Sequence, residues 1–359
     1  MKLADAPYWV ALSRVTELGA KRIRLLFDYF NSAEKAFKAS EEELFASGLP
    51  ARAVNAVLQD RKTINPEREW ERLESLGIQV VTLADGNYPT LLSQIYDPPV
   101  VLFYRGELNI TGEPGLAVVG SRKATEYGKT VANKLAFDLA GAGVAVISGM
   151  ARGIDTSAHF GALQAGGKTV AVLGCGLDIC YPPENRKLRD DIVRSGLLLS
   201  EFPPGTMPKP HHFPMRNRII SGLSLATIVV EAAEKSGALI TADCALEQGR
   251  DVFAVPGSIN SPNSRGCHKL IKEGAAMVEH AADILSELGF LNVQYEERQS
   301  AALTPVQKKI LQAIEFEPVQ FDDLVERSGL DAQVLAVALV ELELTSFLKK
   351  LPGNYFLRV

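Results

Sequence analysis

A chain of 359 residues with 47% hydrophobic and 23% charged residues has the composition of a soluble globular protein and is long enough for about two or three domains around a large core. Its net charge of −5 argues against a protein that coats duplex DNA by overall attraction, and leaves room for a local basic site at most. The start MKLADAPYWV lacks the apolar core of a signal peptide, and no apolar run approaches the ~20 residues of a membrane span, so a cytoplasmic protein without membrane contact is expected.

From residue 8 to about 58 the chain reads as short helices with small-residue turns; Ile23, Leu26, Phe27 and Phe30 recur at helical spacing. The start LGAKRIRLL is similar to a helix-hairpin-helix, whose turn amides can touch a phosphate backbone. The second hairpin lacks a glycine turn, which favours a small helical interaction domain over residues 1–62. Next, ERLESLG ends a helix, and IQVVTL and VVLFYRG read as strands separated by the proline-containing loop ADGNYPTLLSQIYDPP. These strands are expected to extend the sheet that follows.

From 115 to 290 the pattern is regular. LAVVG, VAVISG, TVAVLG, LLLSE, LATIVVEA and DVFAVPG are short, almost wholly apolar runs, as strands buried on both faces are. Amphipathic stretches separate them, such as VANKLAFDLAGAG with Val131, Leu135 and Leu139 on one face. Buried strands alternating with helices predict a parallel, doubly wound α/β sheet over residues 63–290. Residues 291–303 are polar and lack periodicity, and read as a linker. Over 304–359 three helical stretches precede FLKKLPGNYFLRV, a hairpin turning at Pro-Gly-Asn, which makes a winged helix. Its third helix carries Asp331, Glu341 and Glu343 and no lysine or arginine. A helix without cations cannot neutralise phosphates, so a protein-contact or dimerisation role is expected.

In open parallel sheets ligands bind beyond the carboxyl ends of the strands. After the first buried strand comes GSRKATEYGKT, with Gly120, Ser121 and Arg122 at its start and a Gly-Lys-Thr tail like that of a phosphate-binding P-loop. Seven residues separate Gly120 from Gly128, where a P-loop has four, so the loop is too long to wrap a nucleotide triphosphate. Its glycine and helix-start amides can still meet a single phosphodiester beside Arg122. Lys129, about two turns into the next helix, reads as a surface residue. Gly149, Arg152 and Gly153 follow the second strand, and Gly257 follows the sixth. None of these loops is a dinucleotide fingerprint, so no nicotinamide or flavin cofactor is expected. Cys175, Cys180, Cys244 and Cys267 lack a second Cys/His pair at ligand spacing and read as small buried thiols rather than a metal site.

The stretch from Phe202 to Val230 contains no acidic residue and holds Lys209, His211, His212, Arg216 and Arg218 around Phe213. Cations track a phosphate chain and an aromatic face stacks on a base, a combination that suits single-stranded nucleic acid. The plainer alternative is a helix start whose arginines pair with Glu201 or Glu231. Asp155 and His159, four apart, could share a helix face as an acid–base pair. The favoured reading is that His159 packs and Asp155 organises the helix start.

GSRKATEYG, SGMARGIDTSAHFGAL, TVAVLGCGLDICYPPENRKL, SEFPPG, FPMRNRIISGLS, SGALITADCALEQGRDVFAVPG and GCHKLIKEGA appear in the order seen in the DNA-processing DprA (Smf) family, which this chain resembles throughout the sheet domain. DPPVVLFYRG extends the likeness upstream. The resemblance implies an extended Rossmann-like fold, with an N-terminal SAM/helix-hairpin-helix-like domain, a C-terminal winged helix and a homodimeric state. It implies binding of single-stranded DNA taken up during natural transformation, shelter of that strand from nucleases and loading of RecA onto it, with no catalysis and no cofactor. Carried over, the Gly-Ser-Arg motif is Gly120, Ser121 and Arg122, with Arg122 the leading phosphate contact. The Phe-Pro-x-Arg-Asn-Arg motif is Phe213, Pro214, Arg216, Asn217 and Arg218, and Lys209 is the nearest preceding cation. The alternative is a nucleotide N-glycosidic-bond hydrolase of the phosphoribohydrolase type, with Asp155, His159 or Glu231 as its acid. That family's Pro-Gly-Gly-x-Gly-Thr loop is replaced here by VPGSINSP.

Overall fold

The computed structural model describes residues 5–290, 304–314, 318–344 and 347–358; the expected linker lies outside them. The N-terminal segment forms α1 (Ala6–Arg14), α2 (Ala20–Phe30), α3 (Ala33–Lys38), α4 (Glu41–Ala46), α5 (Ala51–Asp60) and α6 (Pro66–Ser75). Local chemistry sets several of their starts. Ser40 and Glu43 form a reciprocal capping box on α4, and Asn65 caps α6 ahead of a proline in its first turn. These helices have no core of their own. Trp9, Leu12, Leu26, Leu44 and Val54 share one apolar cluster with Val101, Phe103, Ala171 and Leu198 of the sheet.

The sheet contains β1 (Gln79–Thr82), β2 (Val101–Gly106), β3 (Gly115–Val119), β4 (Ala145–Ser148), β5 (Thr169–Val172), β6 (Leu197–Ser200), β7 (Ala226–Val229), β8 (Asp251–Ala254) and β9 (Ala276–Met277), in the spatial order β1-β2-β6-β5-β4-β3-β7-β8-β9. The six apolar runs form its parallel centre, and β1 and β2 extend it as antiparallel edge strands. β9 escapes sequence reading because it is only two residues long, Ala276 and Met277. The connecting helices are α7 (Thr90–Ser93), α8 (Glu126–Gly141), α9 (Ile154–Gln164), α10 (Arg186–Ser195), α11 (His212–Gly222), α12 (Gly237–Glu247), α13 (Arg265–Lys272) and α14 (Ala281–Glu287). α11, α12 and α13 bury Ile219, Ile220, Ala242 and Leu270 on one face of the sheet. α8, α9 and α14 bury Leu135, Leu139, Ala158 and Ile284 on the other. Strands covered on both sides have no solvent face to mark with polar residues, which explains their unbroken apolar runs.

The C-terminal unit, α15 (Pro305–Ala313), β10 (Val319–Gln320), α16 (Phe321–Ser328), α17 (Ala332–Leu344), β11 (Leu348–Leu351) and β12 (Tyr355–Arg358), is a winged helix with strand order β10-β12-β11. Gly353 and Asn354 turn its hairpin with φ of 82° and 63°, values that glycine and asparagine tolerate best. Its core is separate and includes Ile310, Leu324, Leu335, Leu339 and Phe356. Among the described residues no helix is long and apolar enough to cross a membrane.

Candidate nucleic-acid interface

From β3 the chain winds outward through β4, β5 and β6 in one direction and through β7, β8 and β9 in the other. The crevice between the carboxyl ends of β3 and β7 is therefore the topological switch point, where doubly wound folds place their ligands. Here the protein fills that crevice itself. The Ser121 amide donates to the Glu231 carbonyl at 2.7 Å. The Thr125 amide and hydroxyl donate to the buried Glu231 carboxylate at 2.9 and 2.5 Å. Gly128 leaves room for that carboxylate, since a Cβ there would stand 2.4 Å from it. Thr125 then caps α8 by accepting from the Gly128 amide. The Thr125 amide at this helix start already has an internal anion, and the Ser121 and Gly128 amides have a carbonyl and a hydroxyl. Lys129 falls in the first turn of α8, not two turns in, and pairs with Glu126 on the surface at 2.7 Å.

The loop lifts Arg122 out of this closed crevice. Arg122 is exposed, and its guanidinium carbon lies 4.6 Å from the centroid of the Phe213 ring, within cation–π range. The loops after β3, β4 and β8 interlock beneath it. Gly153, at φ +77°, passes so close to the Ser121 carbonyl that a Cβ would meet it at 2.3 Å. Asn263 donates to the Lys123 carbonyl at 3.0 Å, and Tyr127 donates to that of Pro256 at 3.2 Å. Gly257 packs against Ser264 and accepts from His268 at 3.0 Å. Arg152 is exposed but engaged by Glu184.

α11 supplies the aromatic half. Phe213 is half-buried, with the Tyr181 ring 5.7 Å away, and it lies against Gly174, where a Cβ would stand 3.1 Å from the ring. Sequence reading missed Tyr181; its only signal was an aromatic residue in the loop after β5. One helical turn beyond Phe213, Arg216 is 3% exposed. Its guanidinium donates to the Gly149 carbonyl at 2.7 Å and to that of Val172, which are the ends of β4 and β5. Gly149 must be glycine, because a Cβ there would overlap the guanidinium at 2.3 Å. Burial pushes the Arg216 pKa down to about 10, so it is still a cation at neutral pH. Burial raises Asp155, and the nearby Arg216 charge opposes that rise.

Arg216, Asn217 and Arg218, expected to bind nucleic acid, all lie buried in the structure. Asn217 donates to the Gly237 carbonyl at 3.3 Å. Arg218 is buried between Glu201 at 2.6 Å and Asp97 at 3.0 Å, the plainer pairing that the sequence left open. Arg218 spends Nε and Nη2 on these carboxylates, while its buried Nη1 has no hydrogen-bond partner. Lys209 and His211 are exposed just ahead of α11. His212 is buried, stacks on Phe202 at 4.2 Å and donates to the Gly174 carbonyl at 3.2 Å. Burial, and the neighbouring His211 and Lys209, keep its pKa below the usual histidine range.

Asp155 and His159 do not form an acid–base pair. The Asp155 carboxylate accepts the Gly149 and Ala151 amides at 3.2 and 3.3 Å. His159 is fully buried, with Nδ1 2.7 Å from Thr169 Oγ1. The Thr169 hydroxyl donates to the Val146 carbonyl, so Nδ1 must be the donor to Thr169, which leaves Nε2 as a bare lone pair without a partner. Burial holds the His159 pKa at about 3. Asp155, His159 and Glu231, the acids named for the hydrolase alternative, are all buried. The four cysteines are free; Cys175 and Cys267 are buried, which pushes their thiols up to about 11 and about 12, whereas Cys180 and Cys244 are only partly buried and depart from the expected buried thiols.

Comparison with known proteins agrees with this architecture. Residues 79–289 match the family model of DNA recombination-mediator protein A, and 294–354 match that of the DprA winged helix domain. Protein Smf of Synechocystis sp. is 34% identical, with all of both chains covered. The X-ray structure of DNA processing protein A from Streptococcus pneumoniae superposes with a TM-score of 0.70 at 40% identity, covering 78% of this chain and 96% of that one. The structure of DNA processing protein A from Helicobacter pylori, which addresses that protein's single-stranded DNA binding mode, superposes with a TM-score of 0.54 at 31% identity over 59% of this chain and 96% of that one.

Proposed function

This chain belongs to the DprA/Smf family of DNA recombination mediators, and from that premise we propose that it binds single-stranded DNA, shelters incoming strands and loads RecA onto them, without catalysis. The observation that carries the reading is the exposed Arg122 guanidinium 4.6 Å from the half-exposed Phe213 ring, with Lys209 and His211 free at the same helix start. An unpaired strand presents a phosphodiester and an unstacked base side by side, and this pair offers a cation for one and an aromatic surface for the other. A duplex keeps its bases stacked and can use only the cation. The reading includes a homodimer, whose mass sedimentation velocity would report.

Fluorescence anisotropy with labelled oligo-thymidine tests the site. Phe213→Ala should lose about 1–3 kcal/mol, the range for one base–aromatic stack. Arg122→Ala should weaken binding to all sequences alike and flatten the salt dependence by about 0.7 in log–log slope, one phosphate's share on a single strand. A blunt duplex that binds as tightly as the single strand, or wild-type affinity in both variants, would overturn the assignment.

A further inference from the structure

The winged helix carries a surface that the DNA-binding reading does not use. α17 occupies the position from which winged-helix domains send a helix into the major groove. It contains no lysine or arginine, and exposed acids stand at both ends: Asp331 just before it, Glu341 and Glu343 in its last turn. Leu335, Ala338, Leu339 and Leu342 face the core of the unit. On the open side Val334, Val337 and Val340 are 45%, 62% and 55% exposed. Their spacing of three residues makes one stripe along the helix. Val334 and Val337 also line a groove shared with Val306 at the start of α15, and Glu341 stands at its rim.

We propose that α17 is a docking face for a partner protein that presents an amphipathic helix with lysine or arginine beside its apolar side. The charges select this occupant. Nucleic acid would bring phosphates against carboxylates with no cation on the helix to meet them. A second copy packing α17 on α17 would set Asp331 opposite Glu341 and Glu343 if antiparallel, and each acid beside its own copy if parallel; both arrangements place like charges together. Glu341 already accepts from the Gln307 side-chain amide at 2.9 Å; a basic amphipathic helix covers the valines and brings cations to Asp331 and Glu343 at the same time, the helix-in-groove mode of recognition.

The test uses the full chain and two labelled synthetic helical peptides. Both carry leucines at i, i+3, i+4 and i+7; one is flanked by lysines, the other by glutamates. A labelled blunt duplex and labelled oligo-thymidine complete the set. The wild type should bind the lysine peptide about tenfold or more tighter than the glutamate peptide. Val337→Asp, an exposed change whose folding a thermal melt verifies, should lose most of that binding while oligo-thymidine affinity stays at the wild-type level. Glu343→Lys should narrow the preference between the peptides. Oligo-thymidine affinity reports the other site independently, so the two readings can fail separately. The proposal is overturned if neither peptide binds, if both bind equally, if Val337→Asp has no effect, if the duplex outcompetes the lysine peptide, or if Val337→Asp turns a dimer into a monomer.

Discussion

Arg122 and Arg216 are the same residue type doing opposite work. Arg122 stands in water over an aromatic ring, where its charge is available. Arg216 is buried, its Nη1 donating to the carbonyls that end β4 and β5, and it anchors the helix turn that presents Phe213. Gly149→Ala would drive a methyl into that guanidinium. We expect a loss of about 1–3 kcal/mol, typical of overpacking, read as a lower urea midpoint, together with weaker oligo-thymidine binding as Phe213 shifts. A variant with unchanged stability would show that the guanidinium has room to move. His159 sets a pH limit on the same core. Its folded pKa of about 3 lies below its ordinary 6.5, so the unfolded chain binds the proton more readily. The stabilisation is complete above about pH 6.5 and is lost as pH falls from there towards 3, at about 1.4 kcal/mol per unit. His159→Leu should therefore lose less stability than the wild type between pH 6.5 and 5 in paired denaturant titrations; parallel curves would remove His159 as the cause.

The β3–α8 loop is built around one carboxylate. Glu231 holds the Thr125 amide and hydroxyl, Thr125 caps α8, and Gly128 gives the carboxylate its space. Glu231→Gln replaces one accepting oxygen with a donor, so one of the two Thr125 donors loses its partner. Leaving a buried donor unpaired costs about 1–3 kcal/mol. The expected outcome is a lower melting temperature and weaker single-strand binding, because Arg122 rides on this loop. Arg122→Ala, at an exposed position, should weaken binding without lowering the melting temperature. If Glu231→Gln melts like the wild type, the loop is held by something else. α11 shows the same division of labour: its inward face carries Arg216, Asn217 and Arg218, and its start carries Phe213 next to the exposed Lys209 and His211.

The whole molecule is anionic, and the exposed cations described at the interface without a carboxylate partner are few: Arg122, Lys123 and Lys209. Each phosphate neutralised on a single strand contributes about −0.7 to the slope of log affinity against log salt. About three contacts then give a slope near −2, measured with oligo-thymidine between 50 and 200 mM salt. A slope near −5 would demand a second basic surface. The N-terminal helices belong to this scale as well, because they share a core with the sheet edge and do not form an appendage.

The strands β3 to β8 were legible in the sequence because each is a short apolar run whose meaning is local: a segment buried on both faces needs no partner to identify it. The winged helix was legible from its helical stretches and its Pro-Gly-Asn turn. The burial of Arg216 and Arg218 was not. In one dimension they are two cations beside an aromatic residue. Only folding brings Gly149 and Val172 to one of them and Glu201 and Asp97 to the other. Tyr181 and Glu231 joined the site's surroundings by the same route. Whether a charge faces water or the interior depends on partners distant in sequence, and the penalty for burying it unpaired lets the tertiary structure alone decide.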